Sequence, residues 1–397
     1  MLRYFNGDTS QSLTKKDRTM IITNVQLVLE NEVVNGSIEV EGGIIRSMSD
    51  SKSQMPGAVD GNQGWLMPGL IELHTDNLEK YFTPRPKVSW PPLSAMAAHD
   101  VQLIGAGITT VLDAIAVGDV RDGGHRQDNL DKMIDTIVTS GELGLNRAEH
   151  FVHIRCELPH EATVDLAKKY LDLEQTHMVS LMDHSPGQRQ FVSIEKYYDY
   201  YQGKYNLNDQ QMTDFEQQQR QQSAQFSDIN RKTIAQLCRE KSIPLASHDD
   251  ATRAHVDESH SLGLVLAEFP TTIEAAQRSH ELGLKVMMGA PNVVRGGSHS
   301  GNVAAHELAT LGVLDTLSSD YFPGSLLEAV FGLADDERND LDLAAATRLA
   351  TSNPASALSL NDRGSIHEGL RADLLLVERR AGQPLIQQVL RQGKRVF

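Results

Sequence analysis

The sequence predicts a (β/α)8 TIM-like barrel joined to a small β-sandwich domain that both chain ends build. Three observations lead there. Apolar strand-like runs alternate with helical stretches through the middle of the chain, the signature of parallel βα units. Eight such runs can be counted, the number that closes a barrel. Short strands and turns occupy both ends of the 397-residue chain, which is too long for one minimal core. A doubly wound sheet is the rival, but no G-x-G-x-x-G follows an early strand.

Residues 1–19 are polar and read as a disordered extension. Met20 opens a strong strand, Met20–Leu29, and translation from Met20 would leave 1–19 as an upstream segment. Ser37–Glu41, Gly42-Gly43 and Ile44–Met48 read as a hairpin. Ala372–Glu378 and the run from Leu385 to Phe397 match it in kind. Residues 20–65 and 359–397 are therefore assigned to the small β domain and 66–358 to the barrel.

The eight barrel strands are expected at Leu66–His74, Ile108–Ala114, Phe151–Glu157, Met178–Asp183, Ile243–Ser247, Leu264–Glu268, Lys285–Gly289 and Leu314–Ser319. Between them, Pro92–Ala106 carries apolar Leu93, Met96, Ala97, Val101 and Ile104, with Gly107 just past its end. Ile229–Glu240 would place Ile229, Thr233, Leu237 and Cys238 on one side. Residues 188–226 break the rhythm with five tyrosines and many glutamines. A connection of that length reads either as a lid or binding element, or as a solvated helical insertion.

A formal net charge of −16 argues against a nucleic-acid or anionic-membrane surface, which needs a basic face. An anionic small-molecule substrate would have to be met locally by metal, Arg or Lys. Two cysteines, Cys156 and Cys238, make no disulfide framework, and no apolar run reaches membrane-spanning length. With no signal peptide evident, the cytoplasm is the expected location. Oligomeric state stays open, a homo-oligomer among the options.

The chemistry gathers at the strand ends. In Leu66–Asn77 an apolar run leads into Glu72, His74 and Asp76, which alternate onto one face of a strand. An imidazole and a carboxylate two positions apart can grip one divalent ion. For His74-Thr75-Asp76 alone a surface turn is the better reading; the later strand ends change the weighting. The third places His153, Arg155 and Glu157 on one face, where Glu157 can bridge two ions or simply pair with Arg155. The fourth ends at His184 before a Pro-Gly turn, and the fifth at His248 beside Asp249 and Asp250, where a carboxylate can fix the imidazole tautomer. The sixth ends at Glu268 and the eighth at Asp320, which can touch a metal and accept a proton from its water. This oxygen and imidazole set without Cys suits one or two divalent ions of Zn, Mn, Fe or Ni. His255, His260 and His280 lie in helical stretches and read as ordinary.

After the seventh strand comes Gly289–Asn302. Its glycines let backbone N–H groups approach an anion, and Arg295 adds a planar charged donor. Arg295, Gly296, Gly297, Ser298 and His299 are the expected substrate-binding residues. The segment is not a P-loop, having no Gly-Lys-Ser/Thr, and a flexible surface loop is the bland alternative.

At this point the residues resemble a known family. The Leu66–Asp76 strand end, the later His, His and Asp strand ends, and the tail Asn353-Pro354-Ala355, Gly364-Ser365-Ile366 and Gly369-Leu370-Arg371-Ala372-Asp373-Leu374 are similar to the amidohydrolase superfamily over residues 20–397. Glu72–Glu79, His99-Asp100, His184–Gln188 and Ser247–Asp250 resemble its PhnM-like branch, of the carbon–phosphorus lyase pathway of phosphonate use. The resemblance implies hydrolysis of α-D-ribose 1-methylphosphonate 5-triphosphate to the 5-phosphate and pyrophosphate. Two departures from the superfamily pattern stand out. The first motif is His74-Thr75-Asp76 where H-x-H is usual, and no Lys sits at the third or fourth strand end, which leaves Glu157 as the bridging candidate.

The residues themselves lead to a metal hydrolase with an anionic substrate; the triphosphate and the sugar come from the resemblance. The expected ligands are His74, Asp76, Glu157, His184, His248 and Asp320, with Asp320 also the proton acceptor. Two rivals are an amidohydrolase cleaving a C–N bond of a cyclic amide or N-acyl amino acid, and a catalytically silent scaffold of a pathway complex.

Overall fold

The computed structural model of the chain describes residues 19–85, 87–118, 125–189, 194–298 and 301–397. Residues 1–18 of the expected extension and His299 of the glycine-rich loop lie outside them.

Two sheets organise the molecule. The first is a mixed sheet of β1 (Met20–Val28), β2 (Val33–Glu41), β3 (Ile44–Ser49), β4 (Val59–Asp60), β5 (Trp65–Pro68), β14 (Leu374–Arg380), β15 (Gln383–Arg391) and β16 (Lys394–Arg395). Its order is β16-β15-β14-β5-β1-β2-β3, with β4 alongside β1, so both chain ends share one hydrogen-bonded layer. Inward-facing Ile22, Val25, Leu27, Ile38, Val40, Leu374 and Leu390 give it a core of its own.

The second sheet is the barrel. It runs β6 (Leu70–Thr75), β7 (Ile108–Val117), β8 (Glu149–Glu157), β9 (Thr176–Met182), β10 (Leu245–His248), β11 (Leu266–Glu268), β12 (Lys285–Gly289) and β13 (Thr316–Ser318), each strand hydrogen-bonded to the next in chain order. Neighbours are parallel throughout. Parallel strands covered on both faces read as apolar runs, and all six residues of β6 are buried. The seam between β6 and β13 is closed differently. The backbone N–H of Ile71 donates to Ala350 O at 2.9 Å and that of Leu317 to Leu349 O at 2.8 Å. Ser318 Oγ crosses above them to His74 O at 2.7 Å.

Alternation along the strands stacks the interior in layers. Leu112, Met178, Ala246, Leu266 and Met287 form an apolar floor. Two positions further along their strands stand Ser180, His248 and Glu268, and Ser180 Oγ meets the ring of buried His153. The polar layer thus lies toward the C-terminal strand ends, where barrels build their sites.

Three sequence expectations need correction. The run Leu66–His74 is two strands: β5 pairs with β14 and β1 in the terminal sheet, and only β6 enters the barrel. Gly69 is the hinge between them. A Cβ there would stand 2.2 Å from Thr109 Oγ1, so only glycine lets the chain pass. The barrel therefore starts beyond 66. In helix Asp228–Glu240 the buried positions are Asn230, Arg231, Ile234, Ala235 and Cys238, while Ile229 is 64% exposed. In Pro92–Gly105 the packed face holds Met96, His99, Asp100, Leu103 and Ile104, and Leu93 and Val101 face outward. In both helices buried polar groups claim positions that an apolar count assigns to solvent.

The long insertion is helical: Ile194–Tyr205 and Asp209–Gln222, then a π turn at Ser223–Ser227 that runs into Asp228–Glu240. Its Tyr197, Tyr201, Met212 and Phe215 make a separate small core. Arg220 Nη1 donates to Pro186 O at 3.1 Å, tying the insertion to the turn that follows β9.

Candidate metal centre

A cavity of about 720 Å³ opens at the C-terminal ends of the barrel strands. His74, Asp76, Glu157, His184, His248 and Asp320 all line it, so the structure brings together all six residues that the sequence singles out. Arg295, Gly297 and Ser298 line it as well, and Gly296 is not among its wall residues.

Glu268 organises the base. Its Oε1 lies 3.1 Å from His74 Nδ1 and its Oε2 3.1 Å from His248 Nδ1. Ser180 Oγ donates to the same Oε2 at 2.6 Å and also meets His153 Nε2. Burial alone would raise the Glu268 carboxyl, but His74, His153 and His248 outweigh it and hold it well below the usual range. A charged Glu268 accepts Nδ1–H from both rings and leaves Nε2 of each as the nitrogen with a free lone pair. Burial lowers His74, whereas Asp249 and Glu268 overcome burial and raise His248.

Above this base, His184, His248 and Asp249 offer ligand atoms within 4.8 Å of one another, a group that could hold an ion. Asp249 Oδ2 is 3.4 Å from His248 Nε2 and 4.0 Å from His184 Nε2. Glu157 Oε2 lies 2.6 Å from His184 Nδ1, which turns Nε2 of that ring toward Asp249. The Glu157 carboxyl is lowered: burial opposes this, and the His184 contact prevails. Arg155, one strand pleat before Glu157, places Nη1 3.7 Å from Asp76 Oδ2. Asp320 is the opposite case. Burial, reinforced by Asp76, pushes it up to about 7. Below it Glu72, also raised to about 7 by burial, accepts the N–H of His74 at 2.7 Å and the Ser318 hydroxyl at 2.6 Å.

Several site residues were not in the expected ligand set. A carboxylate beside His248, Asp249 or Asp250, was expected to fix its tautomer, but Glu268 meets Nδ1 and Asp249 faces Nε2. The signal for Glu268 was present, since it is the strand-end partner of His248 in the β10–β11 register. Lys196, Tyr200, Tyr201 and Lys204 of the insertion also line the cavity. Aromatic and basic residues spaced four and eight apart on one helix were the available cue.

The same fold occurs in solved structures of low identity. N-isopropylammelide isopropylaminohydrolase from Burkholderia multivorans aligns over 95% of this chain and 98% of its own, with TM-score 0.61 and 18% identity. N-acetylglucosamine-6-phosphate deacetylase from Pasteurella multocida aligns over 95% and 99%, with TM-score 0.59 and 11% identity. The amidohydrolase family model matches residues 207–397. With these matches and the relative that follows, the chain belongs to the amidohydrolase family and is a hydrolase. The relative is the α-D-ribose 1-methylphosphonate 5-triphosphate diphosphatase of Escherichia coli K12, 61% identical over 378 residues, which is 95% of this chain and 100% of that protein. No helix among the described residues is long and apolar enough to cross a membrane.

Proposed function

We propose that this chain hydrolyses α-D-ribose 1-methylphosphonate 5-triphosphate to the 5-phosphate and pyrophosphate with the help of one or two divalent ions. The observation that carries the reading is the 61% identity to the named diphosphatase along that protein's whole length.

The residues fit a cation. Asp76 Oδ1 and Asp249 Oδ2 are buried without a hydrogen-bond partner, and an unpaired buried carboxylate oxygen is costly unless an ion meets it. Two imidazoles stand beside one of those oxygens. His74, Asp76, Glu157, His184, His248 and Asp320, joined by Asp249, are the side chains that would hold Zn, Mn, Fe or Ni. Bound there, a divalent ion offsets phosphate charge and lowers the pKa of water toward neutrality.

The chain's own groups do the rest. Glu268 fixes the rings of His74 and His248 in one tautomer. Asp320, a carboxylate at the cavity floor, accepts a proton from the attacking water as its oxygen bonds to the phosphorus nearest the ribose. The bond from that phosphorus to the bridging oxygen breaks, and pyrophosphate leaves with the electron pair. Arg155 balances the carboxylates around Asp76. Arg295, Gly297 and Ser298, which line the cavity, supply its anion-binding side.

The test is product analysis with metal-loaded protein. Pyrophosphate release from the ribose triphosphate is expected; amine or ammonia release from amide substrates, without pyrophosphate, would move the protein to C–N chemistry.

A further inference from the structure

The cavity is uneven in charge. Asp76, Glu157, Asp249 and Asp320 crowd its floor around a single Arg155, while Lys196, Lys204 and Arg295 stand in its wall with one carboxylate, Asp199. In a protein of net charge −16, three wall cations in addition to Arg155 need a reason. They come from two elements far apart in sequence. Lys196 and Lys204 belong to helix Ile194–Tyr205, and Arg295 caps the short helix Ala290–Val294 beyond β12. The elements meet: a Cβ added at Gly301 would lie 3.3 Å from Lys196 Nζ, so that ammonium rests against the glycine-rich segment. Lys204 is held by aromatic faces, its Nζ 5.3 to 5.9 Å from the ring centres of Tyr200, Tyr201 and Tyr205. The helix packs Tyr197 and Tyr201 against Phe215 of the next helix, Asp209–Gln222, which Arg220 in turn ties to Pro186 O, so it presents its lysines from a fixed support.

Resting on the diphosphatase reading, we infer that Lys196 and Lys204, with Arg295 opposite, form the binding site for the terminal diphosphate of the substrate. The carboxylate floor repels phosphate that no cation has neutralised, so only the phosphorus under attack belongs there. The two phosphates beyond it carry most of the remaining charge, and the wall cations are where it can be met. The helical insertion then works as a gauge of phosphate-chain length, selecting a triphosphate over a diphosphate or monophosphate, and it is the last surface that pyrophosphate leaves. Lys196 and Lys204 are specificity residues, with no part in proton transfer.

The test uses metal-loaded parent, Lys196→Met, Lys204→Met and the corresponding Arg variants, with divalent metal in excess. Charge-assisted hydrogen bonds of this kind correspond to about ten- to a hundredfold in affinity. Each Met variant is expected to weaken pyrophosphate inhibition and to raise KM for the triphosphate by that factor. The Arg variants are expected to recover most of both. Orthophosphate inhibition, metal content and melting temperature should stay at parent values. Unchanged pyrophosphate inhibition in both Met variants would overturn the assignment, as would loss of metal from either. Calorimetric binding of pyrophosphate needs no turnover. A parent that binds pyrophosphate through these lysines yet releases none from the ribose triphosphate would therefore sink the diphosphatase reading and leave the subsite standing.

Discussion

Glu157 holds His184 at two points. Its Oε2 lies 2.6 Å from the ring Nδ1 and its Oε1 accepts the backbone N–H of His184 at 3.1 Å. The carboxylate therefore sets both the position of the ring and which nitrogen faces Asp249.

Replacing Glu157 by Gln keeps an oxygen for the backbone N–H but puts an amide N–H against Nδ1, which favours the opposite tautomer. Glu157→Gln is expected to lower metal occupancy and turnover by about ten- to a hundredfold, the usual cost of losing such an orienting group. Elemental analysis beside circular dichroism checks this; parent-level metal in the variant would remove Glu157 from the centre.

Glu268 is expected to matter more, because one carboxylate serves two rings. Glu268→Gln should release His74 and His248 together and abolish turnover, and His248→Ala should do so with the fold retained. Removing the charge from beneath three histidines costs about 3–5 kcal/mol when a buried pair is broken. Denaturant titration and a metal assay read the two effects separately.

A pH dependence of stability comes from a second buried cluster, away from the cavity. His99 Nε2 lies 2.6 Å and His150 Nδ1 2.7 Å from the two oxygens of Asp113, and His150 Nε2 lies 3.3 Å from Asp100, which also faces Arg147. Burial pushes Asp113 up, but His150 and His99 outweigh it and hold it at about 2. Burial likewise opposes the charge on His150, and Asp113 and Asp100 raise it to about 9. The lowered Asp113 contributes stability that is complete above its ordinary 3.8 and fades as pH falls toward 2. The raised His150 contributes stability that is complete below its ordinary 6.5 and fades as pH rises toward 9. Melting temperature is thus expected to be highest between those limits. Asp113→Asn should lower it most at about pH 5–6 and least near pH 9, where the parent has lost the same contribution. A uniform drop at every pH would contradict the ionic account.

Truncation tests the terminal sheet. Residues 383–397 contain β15 and β16 and bury Val389 and Leu390 against β14 and the barrel side of the core. Each fully buried aliphatic side chain is worth about 1.5–3 kcal/mol. Removing 380–397 should lower the melting temperature by well over ten degrees or prevent folding, and scanning calorimetry would show which.

Much of this was legible before any coordinates. All eight barrel strands were readable because parallel strands buried on both faces leave unbroken apolar runs. The meeting of His74, His184, His248 and Asp320 at one cavity was readable because His, Asp and Glu recur at successive strand ends, though each alone reads as a surface residue. What could not be read depends on contacts between distant segments. Gly69 looks like any glycine until Thr109 stands beside it. Ile229 satisfies an apolar pattern, yet Asn230, donating to Leu158 O at 2.8 Å, claims the inward side of that helix. Glu268, and not Asp249 or Asp250, meets His248 Nδ1 because the β10–β11 register, not nearness in sequence, decides which carboxylate reaches it. Lys196 and Lys204 share a helix face with Tyr200 by spacing alone, but only the fold of the insertion turns that face toward the strand ends.

The seam between β6 and β13 bears on how the chain is made. It is fastened by carbonyls of Leu349 and Ala350 and by a serine 246 residues beyond the glutamate it reaches. On the ribosome β6 emerges early and keeps an unpaired edge until residue 350 has left the tunnel. An apolar strand with a bare edge is a template for another chain. Closure by contacts of such sequence separation is also intrinsically slow. Crowded synthesis at high expression is therefore the condition under which this protein is most exposed to aggregation, well before its site chemistry is in question.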